Sequence, residues 1–195
     1  MLKTKDIRDL LISEIKNNNI KDSGYECVNG RKYVEIRNYI FEVDKPYIFD
    51  IPITDERMSP EWYDEFYDWR IRYQIPGVIN YLCQNPNTRR AVLSLNQEQE
   101  IYDPQGYVCT MYMHMFLDKK SDNEYDIEYC VHMRSNEAFD FCSDIRWHNK
   151  ILDEIVKELE ERMMWKINKK NLIWNVDSFH VYEKHFNDII NKYGK

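Results

Sequence analysis

Three groupings of side chains have the types and spacing to do chemistry. Cys109 stands in the strand-like run VCTMYMHMF, where a thiol with thiolate character can add to an electrophilic carbon. The competing role for such a cysteine is that of a small packed hydrophobe. Arg89 and Arg90 form a charge pair at the head of an apolar segment, TRRAVLSLN. Adjacent extended residues point to opposite sides, so the two guanidiniums cannot serve one face of a sheet, and a charge pair there requires a reason such as an anion. His180 and Tyr182 are two apart on a predicted strand and share a face, presenting an imidazole and a phenol together. The alternative for that pair is half-buried aromatic packing.

These groups need elements to position them. Residues 4 to 18 place Ile7, Leu10, Leu11 and Ile15 at helical spacing behind Thr4 as a cap. KYVEIRNYIFEV and PYIFDIPI predict two strands separated by Asp44, Lys45 and Pro46. Ser59-Pro60-Glu61 opens a helical region to residue 84, split in two near Pro76-Gly77. Strands are predicted over 88–96, 107–118 and 125–135, the last two joined by the Ser121-Asp122-Asn123 turn into an antiparallel hairpin. Ile145, Ile151, Leu152, Ile155, Val156, Leu159 and Met163 define a long helix over 144–168, followed by a strand at 171–182 and a closing helix at 183–193. No repeat or linker interrupts the chain, so the fold class is one α+β domain over residues 1–195, a mixed or mostly antiparallel sheet packed against helices.

The composition narrows the partners. The chain has 195 residues, 43% hydrophobic and 14% aromatic, which is ample for a core. Its 27 Lys+Arg against 34 Asp+Glu give a net charge of −7, which argues against wrapping nucleic acid while leaving small anions open. No apolar run approaches the roughly 20 residues of a membrane span, and the charged start MLKTKDIRDLL does not read as a signal peptide, so a soluble cytoplasmic protein is expected. Five cysteines, Cys27, Cys83, Cys109, Cys130 and Cys142, with no CxxC spacing argue against a disulfide framework and a zinc cluster.

The order of the pieces resembles a family. NPNTRRAVLSLN, the cysteine of VCTMYMHMF, MRSNE, SDI at the opening of a long helix, and DSFHVYEKH follow one another as do the motifs of the thymidylate synthase and pyrimidine hydroxymethylase superfamily, over about residues 85 to 185. The resemblance implies a thymidylate synthase-like fold. It implies that Cys109 is the nucleophile that adds to C6 of a pyrimidine ring, activating C5 toward a one-carbon donor. It assigns the 5′-phosphate to Arg134 and Ser135, with Arg89 and Arg90 reaching across from the partner subunit of a homodimer, and with Arg31 of NGRKYVEI as a further phosphate ligand. His180 and Tyr182 would hold the sugar hydroxyl. A catalytic Glu that organises water for proton transfer falls on Glu61 or Glu65.

The residue that discriminates within the resemblance is Asp144. Members that methylate dUMP carry Asn at this point, whereas their cytidylate hydroxymethylase relatives carry Asp. An Asn amide matches the N3–H and O4 of uracil. A protonated Asp, or a carboxylate facing N3-protonated cytosine, matches the inverted pattern of cytosine. A second use of Asp144 is as a cap for the following helix. His114, assigned to the base, stands where the family has Gln. Glu137, assigned to folate, stands where the family has Asp, and Thr110 replaces the usual His after the nucleophile. In an ideal strand Cys109 and His114 lie on opposite faces, and a bulge would be needed to bring both to one pocket. The leading expectation is C5 hydroxymethylation of dCMP or CMP with 5,10-methylenetetrahydrofolate as donor. The others are dUMP methylation, and a divergent nucleotide-binding member without folate chemistry.

Overall fold

The computed structural model describes residues 1–23, 32–51, 59–96 and 108–194. Leu2–Lys3 (β1) leads into α1, Thr4–Lys16, whose Ile7, Leu11 and Ile12 are buried. Thr4 is the first helical residue rather than the cap. It is buried, and its N–H donates to the Asp44 carboxylate at 3.1 Å while the Asp6 carboxylate accepts from the Lys3 N–H at 2.8 Å. A short strand, β2 (Lys21–Asp22), pairs with β3 (Lys32–Glu42).

The strand expected over PYIFDIPI is absent from its described part, residues 46–51. Ile48 and Phe49 are both buried, and two consecutive inward side chains are incompatible with the alternation of a strand. Phe49 instead stacks on Phe139 and packs against Tyr193.

The helical region divides into α2, Pro60–Ile71, and α3, Ile75–Gln84. The break falls at Arg72–Gln74, ahead of Pro76-Gly77, because proline is tolerated in a first turn where its N–H would have no partner. Ser59 caps α2 by accepting from the Trp62 N–H at 3.1 Å. At the break the Gln74 amide pairs with both backbone groups of Ser94, tying the helices to the edge of the sheet.

The expected strand over 88–96 is reduced to β4, Val92–Ser94. Thr110–Ser121 (β5) and Glu124–Met133 (β6) form the expected hairpin about Asp122-Asn123. Asn136–Glu137 (β7) is followed by α4, Phe141–Met163, which begins three residues before the expected start. It ends five residues early, where Met164 turns left-handed (φ 55°) and Lys166–Lys169 joins the sheet as β8. Ile173–Tyr182 (β9), a 3-10 turn at Glu183–His185 and α5 (Phe186–Tyr193) complete the chain.

The sheet runs β1-β3-β9-β6-β5-β4, with β2 added to β3, β7 to β9 and β8 to β6. It is mixed: β9 lies parallel to β6 and antiparallel to β3. One face of the sheet, carrying Met113, Met115, Tyr129, Val131, Trp174 and Phe179, is buried with the apolar stripe of α4, the buried phase of β9 shifting by one residue between Val176 and Phe179. The other face, which includes Tyr112 and His132, is only partly buried or exposed. Among the described residues no helix is long and apolar enough to cross a membrane.

Candidate functional site

One end of the sheet gathers most of the residues singled out by sequence. Cys109 immediately precedes β5, Arg134 and Ser135 follow β6, Asp144 lies in the first turns of α4, and His180 and Tyr182 end β9. The strand ends join through backbone bonds, Arg134 N–H to Cys109 C=O at 2.9 Å and Ala138 N–H to His180 C=O at 2.9 Å.

Asp144 is 4% exposed and does not cap the helix. It is the fourth residue of α4, past the cap position held by Asp140, and both its oxygens are engaged elsewhere. Oδ1 accepts from the Tyr63 hydroxyl at 3.0 Å and Oδ2 from the Asn136 amide at 2.7 Å. The amide orientation of Asn136 is set in turn by the Trp174 indole N–H, which donates to its Oδ1 at 3.1 Å. Burial pushes the Asp144 carboxyl up to about 8, and the nearby charge of Asp140 adds to this, while the bonds from Asn136 and Tyr63 act in the opposite direction. At neutral pH Asp144 therefore holds a proton.

Cys109 is half-buried, and burial raises its thiol to about 11; Arg134 opposes the rise, whereas Asp144 and Asp140 add to it. The resting group is a thiol, so its proton must leave as it attacks. Cys109 interacts electrostatically with Asp144 and with Tyr67, whose phenol is raised well above the ordinary range by burial and then by Asp144 and Cys109.

The guanidinium of Arg134 donates from Nε to the Val108 carbonyl at 3.0 Å, and its charge is felt at both Cys109 and His180. Ser135 Oγ lies 3.5 Å from His180 Nδ1. Burial lowers His180 to about 4, with Glu35 acting to raise it, so its ring is neutral at pH 7. His180 and Tyr182 share a face as expected, their rings 5.1 Å apart, with Tyr33 edge-on to both. Glu35, opposite His180 in the ladder, has a side chain 3% exposed and receives Lys21, Arg37 and the Ser178 hydroxyl. Its burial would raise the carboxyl, but the hydrogen bonds from Lys21, Ser178 and Arg37 prevail and hold it near 2.

Other expected residues lie apart from this cluster. His114 occupies the outward face of β5 between the buried Met113 and Met115; its ring packs on Phe116 and bonds to the Arg89 backbone. A ladder irregularity between Thr110 and Tyr112 does supply a bulge, yet it leaves His114 facing away from the helix layer. Arg89 and Arg90 are exposed just ahead of β4. Glu61 and Glu65 are exposed on the side of α2 opposite the buried Tyr63 and Tyr67, Glu65 lining a surface groove with Asp68 and Trp69. Glu137 alternates away from Asn136 and faces His185, 3.6 Å away. Arg31 lies outside the described residues.

Sequence reading missed Tyr63, Tyr67, Asn136, Trp174 and Glu35. The i, i+4 spacing of Tyr63 and Tyr67 opposite an acidic face was the available signal for two of them. Nothing local marks Trp174 or Glu35.

No family model matches the chain. The chain is similar to the deoxycytidylate 5-hydroxymethyltransferases of Enterobacteria phages T4, T2 and T6. Each is 29% identical over 200 residues, an alignment covering 80% of this chain and 78% of the relative.

Proposed function

We propose that the protein is a transferase that hydroxymethylates C5 of a cytosine nucleotide, dCMP or CMP, through covalent addition of Cys109 to C6. The observation that carries this reading is Asp144, a buried carboxyl with Tyr63 on one oxygen and Asn136 on the other, whose burial favours the protonated form and whose charge is felt at Cys109. A carboxyl that gives its proton to N3 and accepts from the 4-amino group satisfies cytosine, whereas uracil needs the reverse order. The distant similarity to deoxycytidylate 5-hydroxymethyltransferases supports the same base.

In this scheme Arg134 and Ser135 bind the phosphate and neutral His180 with Tyr182 holds the sugar hydroxyl. The sulfur of Cys109 forms a bond to C6 as the thiol proton departs, and electron density passes to C5. Once a one-carbon unit is attached, C5 loses its proton as the donor would leave from the new carbon, water adds to the exocyclic methylene so formed to give the hydroxyl, and the S–C6 bond breaks to return the thiolate. Arg134 favours the departing thiolate. The one-carbon unit would come from 5,10-methylenetetrahydrofolate. Glu137, which the resemblance assigns to it, lies 3.6 Å from His185. The proposal includes a homodimer in which Arg89 and Arg90 reach the partner's site, supported by their exposure beside a sheet face that leaves Tyr112 40% and Ile40 52% accessible.

The test is release of tritium from C5-labelled dCMP, CMP and dUMP, each with and without methylenetetrahydrofolate, with Cys109→Ala as control. Folate-dependent release from a cytosine nucleotide alone, lost in Cys109→Ala, is expected. Release from dUMP alone would replace the proposal by uracil methylation. Absence of release from all three, with nucleotide still bound, would leave a binding protein.

A further inference from the structure

We propose that Tyr63 is the positioning residue that fixes the orientation of Asp144 and which of its oxygens carries the proton, and thereby sets the preference for cytosine over uracil. This rests on the reading of Asp144 as the base-recognising group. A carboxyl recognises a pyrimidine edge only if its plane is fixed, because rotation by half a turn exchanges its donor and acceptor oxygens. Two partners prevent that rotation: Asn136 at Oδ2 and Tyr63 at Oδ1.

The two partners differ in chemistry. The Asn136 amide is committed as a donor because Trp174 occupies its carbonyl oxygen. The hydroxyl of Tyr63 can donate or accept, so Oδ1 is the oxygen that can carry the proton without leaving two donors face to face. Asn136 thus holds Oδ2 as the carbonyl oxygen, and Tyr63 serves whichever state Oδ1 adopts. One lone pair or proton on each oxygen remains for the base.

Tyr63 is itself fixed for this task. It is 5% exposed, and its ring lies 5.3 Å from that of Tyr67 and 5.4 Å from that of Trp62, with the Arg146 guanidinium 5.8 Å from its centre. The Ser59 cap fixes the turn that delivers it. With Glu61 and Glu65 directed to solvent, the proton-handling groups that α2 presents toward Asp144 are phenols rather than carboxylates.

Tyr63→Phe keeps the ring packing and removes only the hydroxyl. The first measurement is a carbon-13 titration of the Asp144 carboxyl in the unliganded protein, its resonance assigned by its absence in Asp144→Asn. Loss of a donor to the charged form is expected to move the titration to higher pH in Tyr63→Phe, and an unchanged midpoint would overturn the proposal. The second is the ratio of kcat/KM for dCMP to that for dUMP across pH. The ratio is expected to fall about tenfold, the worth of one hydrogen bond to a charged or strongly polar group, and the alkaline limb for dCMP is expected to rise with the titration. A ratio and limb both equal to those of the parent protein would overturn the proposal even where Asp144→Asn alters base choice. If Asp144→Asn leaves base choice unaltered, the failure lies with the reading of Asp144 itself.

Discussion

Replacing Asp144 by Asn should make stability nearly independent of this site's proton, so that the stability curves of the two proteins cross with pH. In the folded protein the carboxyl titrates at about 8, far above its ordinary value of 3.8. The folded state therefore binds this proton more tightly than the unfolded state. The resulting stabilisation is complete below about pH 4 and is lost as pH rises toward 8. At ~1.4 kcal/mol per pH unit, the loss by pH 8.5 is roughly 5 kcal/mol. Asparagine removes this loss but introduces a different cost. Its amide must face either Tyr63 or the amide of Asn136, which Trp174 prevents from turning, and an unmatched buried donor costs about 2 kcal/mol. Asp144→Asn should then be about 1 kcal/mol less stable than the parent at pH 4.5 and about 3 kcal/mol more stable at pH 8.5. The assay is equilibrium urea unfolding of both proteins from pH 4.5 to 9, compared at each pH so that every other titrating group cancels. A difference that stays constant over this range would refute the argument that Asp144 is buried with its proton.

Three further outcomes are expected. Arg134→Gln should slow iodoacetamide alkylation of Cys109 at pH 8.5 by about tenfold, because the opposing positive charge is lost, while the exposed Cys142 serves as internal reference by mass spectrometry. His148 is fully buried, its Nδ1 3.1 Å from the Met113 sulfur and 3.4 Å from the Tyr129 hydroxyl, and burial lowers it to about 3. Its folded-state value lies below the unfolded 6.5, so stability is complete above pH 6.5 and falls by roughly 4 kcal/mol toward pH 3; His148→Leu should flatten that acid limb in thermal unfolding scans, and an unchanged slope would contradict it. Mixing Cys109→Ala with Arg90→Glu subunits should restore tritium release that neither has alone, whereas no recovery after subunit exchange would argue against Arg90 serving its partner's site.

Much of the architecture was written in local pattern. The apolar spacing in Ile151, Leu152, Ile155 and Leu159 sufficed for the long helix, and the alternation about Asp122-Asn123 sufficed for the hairpin, because each pattern needs only its own element to be interpreted. Boundaries were less legible. PYIFDIPI has the composition of a strand, yet Ile48 and Phe49 are both buried and Phe49 packs on Phe139 and Tyr193, neighbours that meet it only once the domain has closed. At the other end of α4, Lys166–Lys169 is helical by composition but finds an open strand edge on β6.

The same division runs through the site. The ordered run of Arg89-Arg90, Cys109, Arg134-Ser135, Asp144 and His180-Tyr182 was readable from residue types alone, and the fold brings Cys109, Arg134, Ser135, Asp144, His180 and Tyr182 to one end of the sheet. What sequence could not decide was whether Asp144 caps a helix or faces a base, because both uses begin with the same carboxyl at the same place in the chain. Tertiary structure removes the capping role by engaging both oxygens elsewhere, through Tyr63, 81 residues away, and through Asn136, held by Trp174. A buried carboxyl takes its protonation from neighbours that lie close in space rather than in sequence, and spacing along the chain carries no record of them.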